Sequence, residues 1–192
     1  MQNVQPFAAS LCAISFSWCG KIGAGSAAAA GYRIGAAPGP DTWPVMSVLH
    51  EALFAPETGE APAALRKLGL PADVIGRTDA RKAVLRASVP AVPGREEESA
   101  AALRDAAAGL ADLNDEAVEK AQRSLAVRLR RTEDRPEKLA RRYLEFALGG
   151  LECSVEEYAG LCGCVTAEEV RALASTLGED AEMILAGEGA AT

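Results

Sequence analysis

At 192 residues the chain is long enough for one hydrophobic core, and its composition is that of an ordinary globular protein: 49% apolar, 24% charged and only 5% aromatic. The formal charge of −7 is uneven, with eight basic and six acidic side chains in residues 1–94 but one basic and nine acidic in residues 150–192. No basic groove can be built from this pattern, so nucleic acid is excluded as the expected partner; the acidic end reads as a solvated face or a docking face for a basic partner.

The first thirty residues are irregular. Residues 4–19 are mildly apolar, but no basic residue precedes Lys21, as a secretory signal would need. The stretch is too short and too broken by Ser, Cys and Gly to span a membrane. Residues 1–28 are therefore expected to be a leader or an irregular arm, and residues 29–192 one folded domain. Gly23-Ala-Gly25-Ser-Ala-Ala28 echoes a dinucleotide-binding loop, with Asp41 near the place of a ribose-binding acid. The context fails, because Asp41 follows a Pro-Gly-Pro turn instead of ending a second strand. A phosphate loop fails too, since Gly20-Lys21 is not followed by Ser or Thr.

Residues 29–36 read as a strand, closed by Pro38-Gly-Pro40. A helix is predicted over residues 43–54, capped by Asp41 or Thr42 with Pro44 in its first turn. Its apolar stripe is Val45, Val48, Leu49, Ala52 and Leu53, with His50 and Glu51 beside it. A short helix carrying Ala63, Ala64, Leu65 and Leu68 stops at Gly69, and Pro71 prevents its continuation. Val74-Ile75 and residues 83–89 are strand candidates. The polar run from Arg77 to Lys82 reads as the turn that pairs them as a hairpin, and Pro90 as the end of the sheet section.

The second half is helical. Helices are predicted over residues 96–111, 115–132 with Asn114 as N-cap, and from Asp134-Arg-Pro136 to Leu148, ended by Gly149-Gly150. Two capping boxes follow, Ser154-Val-Glu-Glu157 and Thr166-Ala-Glu-Glu169. The second opens a helix that turns Val170, Leu173, Ala174 and Leu177 inward and stops at Gly178. Residues 181–186 read as a final strand. The order β, α, α, β, β, several helices, β predicts an α+β fold: an antiparallel or mixed β-sheet with helices packed on one face.

The five cysteines, Cys12, Cys19, Cys153, Cys162 and Cys164, are odd in number and irregularly spaced, which argues against a disulfide framework. Cys162-Gly-Cys164 lacks the spacing of a redox or zinc knuckle, and one histidine, His50, cannot complete a Cys/His zinc site. Reduced thiols fit the cytoplasm or another reducing compartment. A thiol or small-molecule site at Cys162 and Cys164 stands as a separate reading.

Several strings, in order, resemble the insulinase/pitrilysin family of zinc metallopeptidases. Val48-Leu49-His-Glu-Ala-Leu53-Phe54 is similar to the helix before the family's loop. Gly59-Glu-Ala-Pro62-Ala-Ala-Leu65-Arg66 and Lys67-Leu-Gly69-Leu70 are similar to the next short helix and its turn. The helix from Glu116 to Leu129, the Asp134-Arg-Pro136 segment with Tyr143, and Val165-Thr166-Ala-Glu168-Glu169-Val170 continue the likeness. The match is to the family's second, non-catalytic type of domain, nearest its presequence-protease branch. The resemblance implies a fragment or partner subunit that helps form a peptide-binding chamber, or a structural subunit without a protease role. The family's H-x-x-E-H motif cannot be assembled from one histidine. No catalytic residue, metal ligand or cofactor is therefore expected in this chain, and zinc would be held by a partner domain or chain. The implied partners are a zinc-bearing protease domain or subunit and a peptide substrate, with neither nucleic acid nor membrane. An Arg and a Tyr that contact substrate in some family members fall on Arg66 and Ala72, leaving Arg66 as the one substrate-binding candidate.

Overall fold

A computed structural model describes residues 27–35, 39–79, 83–177 and 182–186. The expectation for residues 1–26, the Arg81-Lys82 part of the hairpin turn, the stop at Gly178, and Cys12 and Cys19 fall outside these.

Four strands form one antiparallel sheet: β1 (Ala27–Arg33), β2 (Ile75–Asp79), β3 (Val84–Pro90) and β4 (Glu182–Ala186), in the spatial order β2-β3-β1-β4. Alternation decides which side is covered. Ala28, Ala30 and Tyr32 pair with Val89, Ala87 and Leu85, and all six are buried on one face. The helices pack there. Three of the six are alanines, so the sheet surface is low at its centre. Helix α3 (Glu96–Ala108) meets it with alanines of its own, burying Ala100, Ala102, Ala106 and Ala107 around Leu103. Small residues on both sides let helix and sheet approach closely. Tyr32 spans the contact and donates its hydroxyl to the Leu103 carbonyl at 2.8 Å, a long-range tie inside the core.

The remaining helices are α1 (Thr42–Phe54), α2 (Glu60–Lys67), α4 (Asp115–Glu133), α5 (Pro136–Gly149), α6 (Val155–Gly163) and α7 (Ala167–Ala174). Helix α1 is central, in contact with α2, α4, α6, α7 and β2. Its stripe is accordingly wider than predicted: Trp43, Met46 and Phe54 are buried beside Val48, Leu49, Ala52 and Leu53. Helix α4 buries Val118, Ala121, Leu125 and Leu129 on one side, the spacing of a single helical face. Both predicted capping boxes form, with Ser154 and Thr166 accepting from Glu157 and Glu169 N–H while the carboxylates accept in return. These hydrogen bonds favour the charged carboxylates and hold Glu157 and Glu169 below the usual range. No helix among the described residues is long and apolar enough to cross a membrane.

The α+β architecture with an antiparallel β2–β3 hairpin is as expected. Local boundaries shift for identifiable reasons. Strand β1 begins at Ala27, and residue Ala28 is fully buried, so the domain reaches into the segment expected to be an arm. Arg77, Thr78 and Asp79 are strand, not turn. They lie on the edge of the sheet, where polar side chains stay solvated while the backbone pairs with β3. Ala83 leaves the strand with φ of 50°, and Pro90 belongs to β3 opposite Ala27. The predicted helix over 96–111 ends at Ala108 and tightens into a 3₁₀ turn, Gly109–Asp112.

Candidate functional site

Arg66 occupies the last turn of α2. The helix buries Ala61, Pro62 and Leu65 and leaves Arg66, Lys67 and Leu68 toward solvent, with Leu68 44% exposed instead of inward. Gly69 at φ 66° then ends it in a Schellman motif: Leu70 N–H reaches the Leu65 carbonyl and Gly69 N–H the Arg66 carbonyl. Leu70 and Leu65 are both buried, as that motif favours. Arg66 Nη1 donates to the Pro56 carbonyl at 2.9 Å and so ties α2 to the loop after α1. Arg95 secures the other side: its Nη2 donates to the Leu68 carbonyl while Nε and Nη2 grip Glu98. Ala72, at the position of the absent tyrosine, packs against the core, and its carbonyl accepts from Val74 N–H at 2.9 Å. The segment thus presents a fixed backbone with Arg66 on its outer surface.

Helix α1 carries the second candidate cluster. Ser47, His50 and Glu51 are spaced so that they lie along one side of the helix. Each finds a different partner. Ser47 Oγ and Tyr158 Oη of α6 are 2.7 Å apart, and Tyr158 also donates to the Trp43 carbonyl. His50 Nδ1 lies 2.8 Å from Thr78 Oγ1 of β2, with its ring edge-on to Phe54 at 5.1 Å. Glu51, only 3% exposed, accepts from Ser124 at 2.6 Å and from Arg128 at 2.7 Å, both on α4. A buried carboxylate without such a cation would be strongly disfavoured; here each carboxylate oxygen has a donor. Burial, and then the nearby Arg128 and Arg142 guanidinium groups, push the His50 imidazole down to about 3, so it is neutral at physiological pH.

The cluster does not fit a zinc ion. Glu51 is directed to α4 and already neutralised by Arg128, while His50 is directed to β2. Among the described residues no group of three or more His, Cys, Asp or Glu side chains is arranged to hold a metal. What the arrangement does is fasten α1 to β2, α4 and α6 through polar contacts that an apolar interior makes specific.

The thiols are no better placed for chemistry. Cys162 is buried beside Tyr158, and burial raises its pKa far above an ordinary thiol, the opposite of an activated nucleophile. Cys164 is exposed at the C-terminus of α6. An open hollow lined by Glu60, Leu113, Asn114, Glu116 and Lys120 lies between α2 and the start of α4. Its mixed charges select no ligand class.

Sequence reasoning placed the Gly69 stop correctly but missed the Glu51–Arg128–Ser124 set. A signal was available: Glu51 interrupts the run Val48-Leu49-His-Glu-Ala-Leu53-Phe54, and a carboxylate in a helix apolar all round demands a buried partner.

No family model matches the chain, and no curated protein matches it. Among solved structures the fold has clear relatives. The chain covers 95% of the inactive peptidase domain of a proposed zinc protease from Bordetella parapertussis, with 86% of its own length aligned, a TM-score of 0.66 and 18% identity. A proposed zinc protease from Bordetella pertussis Tohama I is similar at TM-score 0.65 and 18% identity, with 84% of this chain and 94% of that one covered. A conserved protein from Enterococcus faecalis V583 is similar at TM-score 0.65 and 12% identity over 82% of this chain. A proposed M16-like peptidase from Alicyclobacillus acidocaldarius is similar at TM-score 0.66 and 18% identity over 83% of this chain. The chain spans only 37% and 40% of the last two proteins. At these identities the likeness is one of fold: the chain is built like a peptidase domain of this type.

Proposed function

We propose that the chain is a non-catalytic domain of an insulinase-type zinc metallopeptidase, of the second domain type and nearest the presequence-protease branch. In this reading it works beside a zinc-bearing domain or subunit and forms part of the wall of a peptide-binding chamber. One observation carries the proposal: the chain matches an inactive peptidase domain almost end to end. The polar residues of α1 agree with it, because they are spent on holding the fold together. Arg66, exposed on a rigid turn, is the group that would contact a peptide carboxylate or carbonyl. The reduced thiols suit a cytoplasmic or similarly reducing location.

The test is reconstitution. The purified chain is mixed with a zinc-bearing homologue carrying H-x-x-E-H, and cleavage of a fluorogenic peptide is followed. The expected result is activity above that of the homologue alone, with Arg66→Ala raising KM while leaving assembly intact. High-affinity zinc binding by this chain alone would contradict the reading. A second reading, a structural subunit with no protease role, rests on the hydrogen bond that already engages Arg66 with Pro56 and on Ala72 at the tyrosine position. Tight assembly with no gain in cleavage would select it.

A further inference from the structure

Helix α5 is apolar on two faces, and only one is covered among the described residues. Phe146 is buried and Leu139 half-buried on the side toward the core, where the Phe146 and Tyr158 rings meet at a tilt of 49° with centroids 4.7 Å apart. At about 100° per residue, Pro136, Ala140, Tyr143, Leu144, Ala147 and Leu148 fall within an arc of about 140° on the other side. Tyr143, Leu144 and Leu148 are 44%, 59% and 54% exposed. These are three of the chain's eight exposed large hydrophobics among the described residues, all on one helix. A contiguous face of this kind marks a contact surface. Glu137 falls within that arc, between Leu144 and Leu148, and along its border run Arg141 and Glu145, bonded to each other at 3.2 Å within the helix.

We propose that this face binds a second copy of the chain, α5 against α5, antiparallel about a twofold axis. The occupant follows from the pattern. Reversing the helix about the Tyr143–Leu144 link sets Ala140 level with Ala147 of the second copy and Tyr143 level with Leu144. Small residues oppose small and large oppose large. The same reversal brings Arg141 within one residue, about 1.5 Å, of level with Glu145 of the second copy, and does so twice by symmetry. A parallel pair would instead put the charged rows of the two copies on opposite sides of the contact, with neither facing the other. The surface is therefore complementary to itself in one orientation, which is the requirement of a closed twofold dimer. A helix of this length is about 21 Å long, and one such face is smaller than a standard interface, so the dimer is weak and dilutes apart. The inference does not rest on the peptidase reading, since α5 carries neither Arg66 nor the polar set of α1.

Sedimentation velocity on the full chain, from low to high micromolar concentration, tests it. The expected result is a concentration-dependent monomer–dimer equilibrium. Leu144→Glu weakens it at least about tenfold, with an unchanged melting curve because the site is exposed; Leu144→Ser serves if the charged variant does not fold. Arg141→Glu weakens the dimer, and the double exchange Arg141→Glu with Glu145→Arg restores it. A monomer throughout the concentration range overturns the proposal. So does a dimer indifferent to position 144, or a double exchange that fails to restore association.

Discussion

Helices α1 and α5 are nearly equal in length and rich in large apolar side chains, yet they play opposite parts. Helix α1 is enclosed by α2, α4, α6, α7 and β2, and even its glutamate is 3% exposed. Helix α5 packs mainly on α4, buries Phe146 alone among its residues, and turns a leucine- and tyrosine-bearing face outward. In α1 the polar groups are internal and each is partnered. In α5 most polar groups are external and pair along the helix surface, and only Arg142 leans inward, its guanidinium 6.0 Å from the Phe146 ring. Hydrophobicity by itself therefore does not locate a helix in this fold; the fate of its charged residues does.

The comparison can be broken first at the point where α5 is anchored. Phe146→Ala removes its one fully buried side chain and the ring contact with Tyr158, and should lower stability by about 4 kcal/mol in urea unfolding. A loss below about 1 kcal/mol would mean that α5 is not held by this contact. Next, Arg128→Ala leaves the Glu51 carboxylate buried with Ser124 as its remaining donor. The expected loss is about 3 kcal/mol, smaller above all if water enters beside Ser124, and is read from the same unfolding curves.

A smaller effect sharpens the picture of α1 through pH. The folded chain holds His50 neutral down to about 3, whereas an unfolded chain protonates it near the ordinary value of 6.5. Below pH 6.5 the unfolded state thus binds more protons, and stability falls as pH falls through the window from 6.5 toward 3. For this half-buried ring the slope should be about 1 kcal/mol per pH unit. The two capping-box carboxylates add their own losses only at lower pH, as Glu157 and Glu169 become protonated. Unfolding midpoints between about pH 6.5 and 4.5 therefore isolate His50, and His50→Asn should flatten the slope there. Smallest of all, Leu144→Ser on the outer face of α5 should change monomer stability by less than about 0.5 kcal/mol. A clear destabilisation, measured at concentrations where the chain is monomeric, would show that this face is covered from within the chain.

What the sequence disclosed follows the same division. Elements whose pattern is local were legible: the α4 stripe, both capping boxes, the Gly69 and Gly150 helix ends, and the β2–β3 pairing. Each depends on residues a few positions apart. The Arg77–Asp79 segment was misread because an edge strand need not alternate in polarity when only its backbone is constrained. The partners of Glu51 were missed because Ser124 and Arg128 lie over seventy residues away, and no spacing rule links them. Arg66 was singled out by resemblance alone, and its bond to Pro56 became visible only once the loop was folded back on α2. The outward face of α5 was hidden for a simpler reason: a helix apolar on both sides reads in sequence as a helix buried on both sides.

The strand order has a consequence for the growing chain. Strand β1 lies between β3 and β4, with Ala27 opposite both Pro90 and Ala186. A ribosome delivers β1 early and β4 some 150 residues later, about ten seconds or more at ordinary rates of synthesis. Throughout that interval one side of β1 is an unpaired edge of small, uncharged residues, the kind of template on which another strand readily adds. The sheet is completed only after the helices between them have been made, so a truncated or stalled chain is a hazard that the finished protein is not.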